Sequence, residues 1–149
     1  MALVEQIDKD LIAAMKAKAE LKLSTLRMMK TALKLKQVES GKPVNDADAV
    51  TVLRTLVKQR HDSAEQFRKG GRTELADKEE AEIKIVESYM PAAATDEEID
   101  VAVDAAIAET AATTAKDIGK VMKSAMAKLA GKNADGKRVN ESVRAKLGA

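Results

Sequence analysis

Apolar side chains recur along this sequence at steps of three and four residues, and no run of β-branched residues alternates with polar ones. A period near 3.6 commits a chain to helices that each bury one stripe, while strands need period two. The expected fold class is therefore all-α. Leu3, Ile7, Leu11 and Met15, with Val4 and Ile12 beside them, mark a first helix ending near Lys18. A second runs from about Glu20 to Glu39 with Leu26, Met29 and Leu33 inward, stopped by Gly41 in a left-handed turn and by Pro43.

Asn45 reads as the N-cap of a third helix, with Asp46 and Asp48 in the first turn where the helix dipole favours negative charge. Val50, Leu53, Val57, Ala64 and Phe67 form its inner side, and Gly70-Gly71 ends it. The fourth helix, Thr73 to Met90, turns Leu75, Ile83, Val86 and Met90 inward before Pro91 stops it. These two helices around a glycine pair predict an antiparallel hairpin. Met90 to Ala94 is the expected hinge between an N-terminal antiparallel helical domain, 1–91, and a small three-helix bundle, 92–149. Thr95 and Glu98 have the spacing of a capping box, followed by Ile99, Val103, Ala106 and Ile107. A second cap at Thr114–Asp117 precedes Ile118, Val121, Met122, Ala125, Met126 and Leu129, and Asp135 caps a last helix bearing Val139, Val143 and Leu147.

Composition narrows the chemistry. There is no cysteine, which excludes disulfides, thiolate-bound zinc and thiol catalysis and fits a reducing cytoplasm. Phe67 and Tyr89 are the only aromatics, so base stacking, the usual way of reading single-stranded RNA, has almost nothing to work with. No apolar run approaches the roughly 20 residues of a membrane span and no signal-peptide pattern opens the sequence, so a cytoplasmic protein is expected.

The net charge of +2 conceals segregation: residues 16–36 carry seven Lys/Arg and one acid, and residues 112–149 carry nine and three. Acids dominate 73–87, six against two bases, and 95–111, six against none. Such blocks build either a basic face beside an acidic one or simply solvated helix surfaces.

Catalytic constellations are scarce. His61 is the only histidine; three residues from Ala64 and four from Val57, it is expected half-buried and structural. Ser63 is too close to it in sequence to share its helix face, and Ser24 with Lys120 or Lys123 has only the residue types of a Ser–Lys pair. Glu79, Glu80 and Glu82 are expected to face solvent. Phosphate-loop and dinucleotide fingerprints are absent, and no metal-ligand spacing occurs. No catalytic residue, metal or cofactor is assigned.

The one stretch that points to a ligand is basic. Lys128, Lys132, Lys137 and Arg138 surround Gly131 and Gly136, and the last helix presents its amino terminus there. Helix amides, a positive dipole end and mobile lysines suit phosphate; a solvated turn whose glycines permit tight geometry is the alternative.

Gly119, Val121, Met122, Gly131, Lys132, Asp135, Lys137, Val139, Asn140, Val143 and Leu147 resemble the tail of the YqeY-like proteins, itself similar to that of the B subunit of the tRNA-dependent Asp/Glu amidotransferase. Met15-Lys16, Leu26 to Lys30, Val57 to Arg60, Asp62-Ser63, Gly71-Arg72, Leu75, Lys78-Glu79 and Tyr89 to Pro91 resemble the YqeY amino-terminal region. Together these residues cover nearly the whole chain; the likeness to the amidotransferase covers only the last third. The resemblance implies an all-helical fold in two parts and an accessory tail that engages tRNA while amide chemistry happens elsewhere. The 149 residues hold no counterpart of the kinase-like catalytic region or of the Ser–Ser–Lys amidase core.

Three readings follow. The first is a non-catalytic module for tRNA or other structured RNA, with Lys120, Lys123, Lys128, Lys132, Lys137 and Arg138 on phosphates, assisted by Arg27, Lys30, Lys58 and Arg60. The second is a protein-interaction or regulatory module, using Met122 and Met126 as an adaptable groove unless they are core. The third is a glutamine-dependent amidotransferase, a carbon–nitrogen ligase, in its own right.

Overall fold

The computed structural model describes residues 2–148, which hold seven α-helices, a short 3-10 turn and no strand. The helices are α1 (Leu3–Ala17), α2 (Glu20–Ser40), α3 (Asp46–Lys69), α4 (Thr73–Glu87), α5 (Asp96–Thr110), α6 (Ile118–Lys128) and α7 (Gly136–Leu147), with the 3-10 turn at Ala115–Asp117. The chain divides into two compact units, Met1–Met90 and Pro91–Ala149.

In the first unit α1 packs on α2, and α3 and α4 form the hairpin expected from Gly70-Gly71. Its core is Ile7, Ala14, Leu26, Met29, Leu33, Ala49, Leu53 and Val86. Three ends are closed as the sequence indicates: Gly41 takes φ +71°, Gly71 takes φ +74°, and Asn45 Oδ1 accepts the Asp48 amide at 2.8 Å. Asp46, expected only to complement its own helix dipole, also accepts the Leu3 amide at 2.9 Å and so caps α1 from outside.

Two residues expected on inner stripes, Met15 of α1 and Leu75 of α4, face outward instead. A strict four-residue step drifts about 40° per turn on a 3.6-residue helix, so by Met15 the stripe has rotated out: Met15 is 51% exposed and Ala14 is buried instead. Leu75, in the first turn after the glycine pair, is 40% exposed and Ala76 takes the buried place. The fourth helix ends at Glu87, three residues early; the amides of Tyr89 and Met90 bond to Val86 and Glu87, a tighter i→i−3 winding that leads into Pro91.

The second unit packs α5 with α6 and α7 around Ile99, Val103, Ala106, Val121, Ala125, Leu129, Val139 and Val143. Thr95 Oγ1 accepts the Glu98 amide at 3.1 Å, and the Glu98 carboxylate turns back onto Thr95 while its second oxygen meets Lys132. The complete box belongs to Thr114 and Asp117. The Ala94 amide donates to the Asn133 carbonyl at 2.8 Å, which pins the α6–α7 loop beside the start of α5.

Candidate nucleic-acid interface

The second unit is registered by polar contacts along its outer edges. Arg138 pairs with Asp96, Ser142 Oγ donates to Asp100 Oδ1 at 2.8 Å, and Lys146 Nζ lies 2.8 Å from Asp104 Oδ1. Each pair is 42 residues apart and successive pairs are four residues apart, so α5 and α7 run parallel with one ridge of each in contact. On the other side Glu109 receives both Ser124 Oγ at 3.0 Å and Lys128 Nζ at 2.5 Å from the antiparallel α6. Lys132 and Lys128 hold the Glu98 and Glu109 carboxyls below the usual carboxylate range, and Asp104 raises the Lys146 ammonium.

The six expected phosphate contacts are all exposed and all in this unit, but they do not form one cluster at the last bend. Lys120 and Lys123 sit in the first half of α6 and line a groove of about 580 Å³ with Glu109, Ser124 and Lys128. Lys132, Lys137 and Arg138 lie beyond the other end of α6, whose 11 residues span about 16 Å. Among the described residues Lys120, Lys123 and Lys137 have no acid partner, whereas Lys128, Lys132 and Arg138 are paired to α5. The amino terminus of α7 is not open to a phosphate in full: Asp135 Oδ1 already accepts the Lys137 amide at 3.0 Å.

The four assisting cations divide as well. Arg27 and Lys58 are exposed, Lys30 pairs with Asp8 at 2.9 Å, and Arg60 turns inward. Arg60 Nη1 lies 3.0 Å from Glu79 Oε2 and 3.0 Å from Glu82 Oε2, and Nη2 meets Met28 Sδ. Glu82 is therefore buried at 7% exposure and Glu79 half-buried, contrary to the solvent-facing expectation; only Glu80, paired with Arg68, is exposed. The signal was available, since Arg60 falls on the same α3 stripe as Leu53 and Ala64. His61 is exposed rather than half-buried, because it lies on the flank of that stripe. Ser24 donates its hydroxyl to the Leu21 carbonyl at 3.1 Å. Met122 and Met126 are partly buried against the second unit's core. No group of three or more possible metal ligands occurs among the described residues.

What the sequence reading missed is the role of α5. Asp96, Asp100 and Asp104 at four-residue spacing, answered by Arg138, Ser142 and Lys146 at the same spacing, carried that information. No helix among the described residues is long and apolar enough to cross a membrane.

Comparison with known proteins places the chain in a family. The family described as Yqey-like protein matches residues 4–147. A relative called "Altered inheritance of mitochondria protein 41, mitochondrial" from Lachancea thermotolerans is 35% identical over 88 residues, 58% of this chain and 47% of the relative. Its namesake from Eremothecium gossypii is 34% identical over 110 residues, 72% and 60% of the two chains. The match thus spans about half the length of these relatives, and their names assign no chemistry. With the family pattern running from the first helix to the last, this chain belongs to the YqeY-like family.

Proposed function

We propose that the second unit, the part similar to the amidotransferase tail, is a non-catalytic docking surface for the phosphate backbone of tRNA or another structured RNA. The observation that carries this reading is the trio Lys120, Lys123 and Lys137, exposed and without acid partners in a unit that has no aromatic side chain. Such a surface makes charge and shape contacts rather than stacking ones. Binding of this kind is weak and falls steeply with salt, because each contact releases counterions. Cytoplasmic residence belongs to the same proposal; the mitochondrial wording belongs to the names of the fungal relatives.

Titration of unfractionated tRNA into the purified chain at rising salt tests the reading. Salt-dependent binding supports it, and no binding at low salt rejects it. A glutaminase and transamidation assay on the same preparation, freed of contaminating complex, decides against the ligase alternative if it gives no turnover.

A second reading has its own observation. Leu35 and Val38, 59% and 78% exposed, share the outer face of α2 with exposed Arg27 and Lys34, which supports a protein-interaction surface in the first unit. Partners retained on that face after nuclease treatment, and lost in Leu35→Asp/Val38→Asp, would favour it.

A further inference from the structure

The six cations of the docking surface are not equivalent. Three are opposed by carboxylates of a single helix: Arg138 by Asp96 at the first residue of α5, Lys132 by Glu98 two residues on, and Lys128 by Glu109 near its last. Glu109 also takes the Ser124 hydroxyl, so one carboxylate holds two donors of α6, the arrangement a phosphate oxygen would adopt on the same side chains. Helix dipoles explain Asp96 and Glu98, which lie in the first turn where acids are favoured. They do not explain Glu109, which stands in the last turn, where an acid is disfavoured. All three pairs are on the surface, where an ion pair adds little to stability. Their larger consequence is electrostatic: of the six, they leave Lys120, Lys123 and Lys137 to meet an incoming anion uncompensated.

We infer that Asp96, Glu98 and Glu109 are specificity-determining residues of the docking surface, an internal set of competing anions that an RNA backbone must displace from Arg138, Lys132 and Lys128. This rests on the RNA-docking reading above. An isolated phosphate meets either Lys137 or, at most, the Lys120–Lys123 pair on the α6 groove, and gains little by displacing a carboxylate. A folded RNA offers several phosphates at once and displaces the carboxylates together, so the device favours dense, preorganised phosphate arrays over sparse ones.

The test is a salt titration of full-length chain with labelled unfractionated tRNA, comparing wild type with Asp96→Asn/Glu98→Gln/Glu109→Gln. The control is Glu97→Gln/Glu141→Gln, which removes charge from the same unit at exposed positions that pair with no cation among the described residues. The expected result is at least a tenfold gain in affinity for the triple variant at low salt. The slope of log affinity against log salt changes little, because the same phosphates are contacted and only the carboxylates' competition is lost. Single-stranded oligonucleotides are expected to bind wild type more weakly than tRNA and to gain more from the triple substitution than tRNA does. The control gains less than threefold. Equal gains in triple variant and control, or no gain in either, overturn the inference while wild-type binding leaves the docking reading standing. Absence of tRNA binding by both wild type and triple variant overturns both. Should the triple variant lose helicity, Glu109→Gln alone, which removes an acid from an unfavourable helix position, is expected to gain about threefold, and no gain overturns the inference.

Discussion

Tyr89 donates a 2.5 Å hydrogen bond to Asp10 Oδ2, tying the turn after α4 back to α1 across 79 residues. The bond holds the Asp10 carboxyl below the usual carboxylate range, with Gln6 and nearby lysines assisting against partial burial. Burial, then the Asp10 bond, pushes the Tyr89 hydroxyl well above its ordinary value. A depressed carboxylate contributes its stability above its unfolded value, about 4, and loses it as pH falls through the folded one. A raised phenol contributes below its unfolded value, about 10, and loses it as pH rises toward the folded one. The link is thus complete between about pH 4 and 10. Tyr89→Phe should cost about 1–2 kcal/mol at pH 7, with the deficit shrinking below pH 4. Urea midpoints of both proteins from pH 3 to 7 check this; a constant deficit removes the linkage.

Arg60 sits between two carboxylates, one of them buried, and should be costly to remove singly. Arg60→Leu leaves Glu82 uncompensated at 7% exposure and should destabilise by about 3 kcal/mol. Adding Glu82→Leu restores an apolar contact between α3 and α4 and should recover most of the loss. Chemical denaturation followed by helicity is the measurement, and a double variant no more stable than the single would refute the account.

Among the described residues, two other than glycine occupy the left-handed region at helix ends: Lys18 at φ 55° and Ala111 at φ 53°. That conformation costs a residue with a Cβ about 1–2 kcal/mol, part of which glycine gives back through its freer unfolded chain. Ala111→Gly and Lys18→Gly should each stabilise by about 0.5–1 kcal/mol. Ala105→Gly, an exposed position inside α5, should destabilise by about 1 kcal/mol. Thermal unfolding of the three variants distinguishes the sign.

The uncompensated lysines carry the proposed RNA contact. Lys120→Ala/Lys123→Ala/Lys137→Ala should lower tRNA affinity at least tenfold at low salt and flatten the salt dependence by about two to three in log–log slope. Lys9→Ala/Lys69→Ala, which removes charge from the first unit, should leave the slope unchanged. Equal effects from both sets would mean that net charge, not this surface, governs binding.

Helix content, caps and chain stops were legible because they depend on neighbours in sequence. Gly41, Asn45, Gly71, Thr95, Thr114 and Asp135 act within one turn of themselves, so spacing alone predicts them. The central core residues Leu26, Met29, Leu33, Leu53, Val103 and Val121 follow from period 3.6 for the same reason. Other features depend on which helix lies opposite, which a periodic pattern does not encode. Arg60 between Glu79 and Glu82 and the pairing of α7 with α5 at a 42-residue offset are of that kind: their stripes and charges stand in the sequence, but not which partner each one meets. So is the division of the basic residues: a lysine in sequence is only a charge, and whether it stays available or is spent on Asp96, Glu98 or Glu109 is decided when α5 packs beside α6 and α7. An ion pair reaches only a few ångströms, so only the folded arrangement of helices sets it.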